Sequence, residues 1–117
     1  MTSRHWRIRL TRQAEIDYSR ILDATVERFG SRQADIYEGH LIGALAALEA
    51  GPELRGSAAR NDIRPDLRTY HLARLGVRAR HLICYRAGQG QVIEVLRILH
   101  DAMDLPAHIP AQAPEPD

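Results

Sequence analysis

Read for the spacing of its apolar positions, the chain changes period several times. Trp6-Arg7-Ile8-Arg9-Leu10 alternates apolar and basic residues, the two-residue period of a half-buried strand. From Thr11 onward Ala14, Tyr18, Ile21, Thr25 and Phe29 recur every three or four residues with Leu22 beside them. Asp17, Asp23, Glu27 and Arg28 fall elsewhere. That spacing predicts an amphipathic helix with Thr11 as N-cap and Glu15 in its first turn. Gly30 supplies a stop and Ser31 the next N-cap, so a break of about two residues folds the next helix back as an antiparallel hairpin. The second helix is predicted from about Arg32 to Ala50, with Ala34, Tyr37, Leu41, Ala44, Leu45 and Leu48 as its stripe and Gly51-Pro52 as its end.

Residues 52–66, with Pro52, Gly56, Pro65 and several charges, read as a loop. Three strands follow: Leu67 to Leu75, His81 to Arg86, and Val92 to Leu99. Ala87-Gly-Gln-Gly-Gln91 between the last two is a hairpin turn rather than a phosphate loop, because no helix follows its G-x-G. The final strand is aliphatic except at Glu94 and Arg97, and its Val92, Ile93, Val95 and Ile98 are β-branched. Such a strand is apolar on both faces and belongs inside a sheet. Strict alternation puts Glu94 and Arg97 on opposite faces, and Arg97 then needs a partner such as Asp101 or an exposed sheet face. A short turn or helix is expected around Asp101–Leu105, with little structure of its own from Pro106 on.

The elements run β-α-α-β-β-β, an α+β fold with a helical hairpin on one face of a mainly antiparallel sheet. At 117 residues the chain makes one domain, expected over residues 1–109, with residues 110–117 as a tail. No segment has the roughly 18 consecutive apolar residues of a membrane span, and the start lacks the apolar core of a signal peptide, so a cytoplasmic protein is expected.

All sixteen basic residues are Arg, and the net charge of +1 is unevenly placed: residues 55–100 hold nine Arg against three acids. A basic sheet half suggests an acidic or nucleic-acid partner, although blocks of surface charge are more often only solvated. The single cysteine, Cys84, lies in an apolar run and is expected to pack as a small hydrophobe. His100, Asp101 and Asp104 match no established metal-ligand spacing, and neither metal nor cofactor is expected. Tyr18 and Tyr37 sit on the helical stripes and read as core residues.

Several short motifs occur in order: Leu10-Thr-x-x-Ala14-x-x-Asp17, Phe29-Gly30-x-x-x-Ala34-x-x-Tyr37, Leu48-x-x-x-Pro52, Leu67-Arg68-x-Tyr70, Arg80-His81-Leu-Ile-x-Tyr85-Arg86, and Ile98-Leu99-His100-x-x-Met103-Asp104. Together, over residues 8 to about 109, they resemble the ParE branch of the RelE/ParE toxin superfamily. The resemblance implies the toxin of a type II toxin–antitoxin system, neutralised by a cognate antitoxin that alone brings it to operator DNA. ParE proteins inhibit DNA gyrase, whereas their RelE relatives are ribosome-dependent mRNA endonucleases. Metal-free RNA cleavage needs a base, an acid and cations around the phosphate. This chain has no Lys and no carboxylate evidently placed as a base, which favours gyrase inhibition. Arg68, Arg86 and Arg97 as phosphate holders, with Tyr85 or His100 as proton carriers, keep the endonuclease open as an alternative. A non-toxic member acting only in an autorepressing complex is a third. The bland reading pairs these arginines with Asp62, Asp66 or Glu94 and makes His100 a hydrogen-bonded strand end. The expected target-contact residues are Arg68, Arg86, Arg97, His100, Met103 and Asp104, centred on the end of the last strand.

Overall fold

The computed structural model describes residues 5–109, so the expected 110–117 tail lies outside the described residues. Strand β1 (Arg7–Leu10) leads into helices α1 (Arg12–Phe29) and α2 (Ser31–Ala47). Strands β2 (Ala58–Ala59), β3 (Arg68–His71), β4 (His81–Ala87) and β5 (Val92–His100) follow, then the short helix α3 (Leu105–His108). The five strands lie in the order β1-β5-β4-β3-β2. β1 runs parallel to β5 and all other pairs are antiparallel.

Local chemistry sets the boundaries. The Thr11 side chain accepts from the Ala14 N–H and caps α1 as expected. Gly30, at φ +92°, carries the chain from α1 into α2 in a conformation that disfavours side chains. Ser31 is therefore the first residue of α2 rather than its cap, and Gly30 makes no side-chain cap bond. The second helix is shorter than its stripe suggests: it gives way at Leu48 to a 3-10 turn that ends at Gly51. Two further expectations need correction. The 52–66 loop contains the two-residue strand β2, and the Leu67–Leu75 strand is extended only over Arg68–His71 before a 3-10 turn at Leu72–Leu75.

The main core lies between the helical hairpin and the sheet, where Ala14, Leu41, Ala44 and Leu48 meet Tyr70, Ile83, Tyr85, Ile93, Val95 and Ile98. A second, smaller cluster fills the opposite face: Leu67, Cys84, Leu96, Leu99, Leu105 and Ile109. The stretch after Asp104 is thus more ordered than its prolines suggest, because Leu105 and Ile109 are buried against the sheet. β5 is an interior strand with apolar contacts on both faces. Beyond Leu10, where β1 ends, α1 takes over its edge. The Thr11 N–H donates to the Val95 carbonyl, the Thr11 hydroxyl to the Leu96 carbonyl, and the Ile98 N–H to the Asp17 carboxylate.

The ladder between β4 and β5 carries a bulge. Tyr85 lies opposite Val95 but Cys84 opposite Arg97, leaving Leu96 as the extra residue. Arg97 and Glu94 therefore fall on the same face of the ladder, not on opposite ones. The partner of Arg97 is Asp17 rather than Asp101, through Nε to Oδ2 at 2.8 Å and Nη2 to Oδ1 at 3.0 Å.

Candidate functional site

The antiparallel register brings His81, at the start of β4, opposite His100, at the end of β5. Their rings meet edge to face with centroids 5.2 Å apart. The chain then turns sharply: the Ala102 N–H donates to His100 Nδ1 and the Met103 N–H to the His100 carbonyl. Asp101 is held by the Arg80 guanidinium and by His71 Nε2, the latter at 2.9 Å. Because His71 Nδ1 accepts from the Ala73 N–H, Nε2 carries the proton and donates it toward Asp101. Hydrogen bonds from Arg80 and then His71 pull the Asp101 carboxyl down to about 2.

Tyr37 of α2 closes the cluster over the helical face. Its oxygen accepts from the Arg80 N–H, leaving its own proton for His81 Nδ1 at 2.6 Å. Burial, reinforced by the neighbouring His100, lowers the His81 pKa from 6.5 to about 4, so this imidazole is neutral at physiological pH and available as an acceptor. Burial also raises the Tyr37 phenol above its ordinary value. These rings stand at one side of a groove of about 910 Å³ between the α1–α2 turn and the 76–81 connection. Phe29, 67% exposed, and Ile36, 45% exposed, present large apolar surface there, and Arg28, Arg78 and Arg80 also line it.

The six expected contact residues do not converge. His100 lines the groove, and Met103 and Asp104 are exposed just beyond it. Arg68 lies at the other end of the sheet on the helical face, opposite Tyr85, with Nη2 donating to Ser57 Oγ. Arg86 lies on the face away from the helices, its Nε donating to Glu94 at 2.8 Å. Along β4, His81 and Arg86 are roughly 16 Å apart at strand rise. Arg97 is held between Asp17 and the His108 carbonyl. Tyr85 is fully buried and donates its hydroxyl to the Pro52 carbonyl at 2.6 Å. Cys84 is buried and its thiol is pushed up to about 12 by that burial, so it packs as the sequence suggests.

Tyr37, Arg80, His81 and Asp101 are members of the cluster that sequence reasoning did not single out as a group. Tyr37 was expected in the core, and its ring does pack there in part, as does that of Tyr18, whose hydroxyl donates to Glu38. The pairing of the last two strands is the signal that places His81 beside His100. Among the described residues no group of three His, Cys, Asp or Glu side chains is arranged to hold a metal, and no helix is long and apolar enough to cross a membrane.

A family model described as the ParE toxin of type II toxin-antitoxin system, parDE, matches residues 8–105. A solved structure titled "Chromosomal ParDE TA system from P. aeruginosa" is similar in fold, with a TM-score of 0.66 and 23% sequence identity. The match covers 82% of this chain and 96% of that chain. No curated protein sequence matches.

Proposed function

Since the chain belongs to the ParE family and is a ParE-type toxin of a type II toxin–antitoxin system, we propose that it acts in the cytoplasm by inhibiting DNA gyrase and that a cognate antitoxin neutralises it. The observation that carries this reading is the dispersal of Arg86, Arg97, Tyr85 and His100, the residues on which the endonuclease alternative rests. Tyr85 is sealed in the core on a backbone carbonyl, Arg97 is committed to Asp17, Arg86 is paired with Glu94 on the far face, and His100 stands at the helical side. Metal-free phosphodiester cleavage requires base, acid and cations within hydrogen-bond reach of one phosphate. This arrangement favours a toxin that binds its target without cutting it.

The contact surface proposed for the target is the margin formed by His100, Met103 and Asp104, with Arg68 and Arg86 as outlying contacts and Arg97 holding β5 in place. The groove beside that margin suits the antitoxin. Its exposed Phe29 and Ile36 call for aliphatic anchors, and Arg28, Arg78 and Arg80 for acidic ones, as an amphipathic segment would supply. Sequence-specific recognition of operator DNA is then left to the antitoxin.

The test uses purified gyrase, plasmid DNA and the free chain. Loss of supercoiling or accumulation of cleaved DNA is expected, suppressed by antitoxin. Site-specific cuts in ribosome-bound mRNA, lost in His100→Ala or Arg86→Ala, would install the endonuclease reading instead.

A further inference from the structure

The face of the sheet turned away from the helices carries a cluster of charge around Arg86, apart from the groove and the strand margin. Ile8 and Leu10 pack toward the helical hairpin, so the alternating Arg7 and Arg9 of β1 lie on the outer face. Arg9 Nη2 and Arg86 Nε donate to the two different oxygens of Glu94, at 2.6 and 2.8 Å. Together with Gly88, Gln89 and Val92 they line a depression of about 670 Å³ at the hairpin end of β4 and β5.

Arg64 is buried within electrostatic reach of Arg86 and Glu94. It is only 4% exposed and its Nη1 has no hydrogen-bond partner among the described residues. The charges it senses are repulsion from Arg86 and attraction from Glu94 and Asp66. An arginine stays protonated even when buried, and a charge inside the protein is screened far less than one in water. Arg9 and Arg86 thus bracket a single carboxylate, both of whose oxygens are already occupied. Arg86 engages Glu94 through Nε, which leaves its terminal nitrogens for a ligand.

We infer that this depression binds backbone phosphates of duplex DNA, with Arg9 and Arg86 making the contacts and the buried Arg64 raising the local positive potential. Arginine matches phosphate oxygens through paired N–H groups. Arg7 and Arg9 extend the positive row by roughly 7 Å along β1, which suits a repeating polyanion better than one carboxylate. The lining contains no aromatic residue. Neither the buried aromatic anchor of a protein interface nor the stacking platform of a single-strand binder is therefore present. Contacts of this kind position a protein on DNA without reading its sequence.

The inference goes beyond gyrase inhibition, and its test contains no gyrase, so a negative result leaves that reading standing. A fluorescent duplex of arbitrary sequence is titrated with the free chain at several salt concentrations. Binding is expected to weaken with salt along a log–log slope of about −2, as two or so phosphate contacts imply. Arg9→Gln and Arg86→Gln should each reduce the slope by about one. Glu94→Gln, which removes the competing carboxylate, should tighten binding, and Arg20→Gln on the exposed side of α1 should change nothing. Arg64→Met should weaken binding, and should it fail to fold, the Arg86 and Glu94 variants still decide the matter. No binding at low salt, a slope unchanged in the Arg9→Gln/Arg86→Gln double variant, or an equal loss in Arg20→Gln would overturn the proposal.

Discussion

Removing Asp17 should be the most damaging single carboxylate substitution in this protein. Its side chain is 8% exposed and that of Arg97 17%. The carboxylate accepts three hydrogen bonds, two from the Arg97 guanidinium and one from the Ile98 N–H at 3.0 Å. That last bond satisfies the edge of β5 where β1 no longer covers it. Asp17→Ala leaves a backbone donor unmet, at about 1–3 kcal/mol. It also strands a guanidinium, and breaking a buried pair typically costs about 3–5 kcal/mol. Because Arg97 retains the His108 carbonyl and some solvent, the sum falls short of additive, and about 3 kcal/mol is expected. For a chain of this size that lowers Tm by about 10–15 °C. Arg97→Met strands the more buried Asp17 carboxylate, and because Asp17 keeps the Ile98 N–H its cost should be comparable, about 3 kcal/mol. Urea denaturation of both single variants and the double variant closes a cycle whose coupling should be about 2 kcal/mol. A loss below about 0.5 kcal/mol for Asp17→Ala, the range of an ordinary surface change, or a coupling near zero, would refute the reasoning. Toxicity of Arg97→Met should follow the folded fraction, as befits a residue that positions the strand.

Two further outcomes follow from groups around the groove and the core. His81 is held at about 4 in the folded chain against an ordinary 6.5, so the unfolded chain binds the extra proton first. Its contribution is complete above pH 6.5 and is lost as pH falls toward 4, on the order of 2 kcal/mol after allowance for partial exposure. Asp101, at about 2, keeps its own contribution until pH drops below its ordinary 3.8. Denaturation between pH 7.5 and 4.5 should therefore show a decline that His81→Gln flattens, and equal slopes in both proteins would count against a buried neutral imidazole. Tyr85→Phe, which leaves the half-buried Pro52 carbonyl without its donor, should cost about 1–2 kcal/mol by chemical denaturation. A neutral result there would mean that water replaces the hydroxyl.

What the sequence reveals depends on whether a position is governed by its neighbours in the chain or by its neighbours in space. Helix α1 was legible because its apolar period, its Thr11 cap and its Gly30 stop are all local. The run of β-branched residues from Val92 to Ile98 marked an interior strand for the same reason. β2 was not legible: Ala58 and Ala59 are both exposed, so no alternation distinguishes them from loop, and only pairing with Arg68 and Thr69 makes them a strand. Leu105 and Ile109 escaped notice because an isolated apolar residue among prolines says nothing about the far face of a sheet it will cover. The ion pair of Asp17 and Arg97 joins residues eighty positions apart. An odd Arg in an aliphatic strand says that a partner exists but not which acid supplies it.

The candidate site turns on the one defect in the ladder. Buried positions on the helical face run Ile93, Val95 and then Ile98, so the apolar phase shifts by one residue between Val95 and Ile98. That shift is the signature of a bulge, and the sequence hides it because Leu96 and Leu99, on the other face, are apolar as well. Counting outward from Arg86 opposite Glu94 in an unbroken ladder would set His81 against Leu99. The extra residue, Leu96, sets it against His100 instead. Its carbonyl, freed from regular pairing, is taken by the Thr11 hydroxyl, the same side chain that caps α1. One inserted residue thus ties the first helix to the last strand and brings two imidazoles and the Tyr37 hydroxyl together at the groove. His100 could be named from the sequence as a candidate, but its juxtaposition with His81 required the position of the bulge.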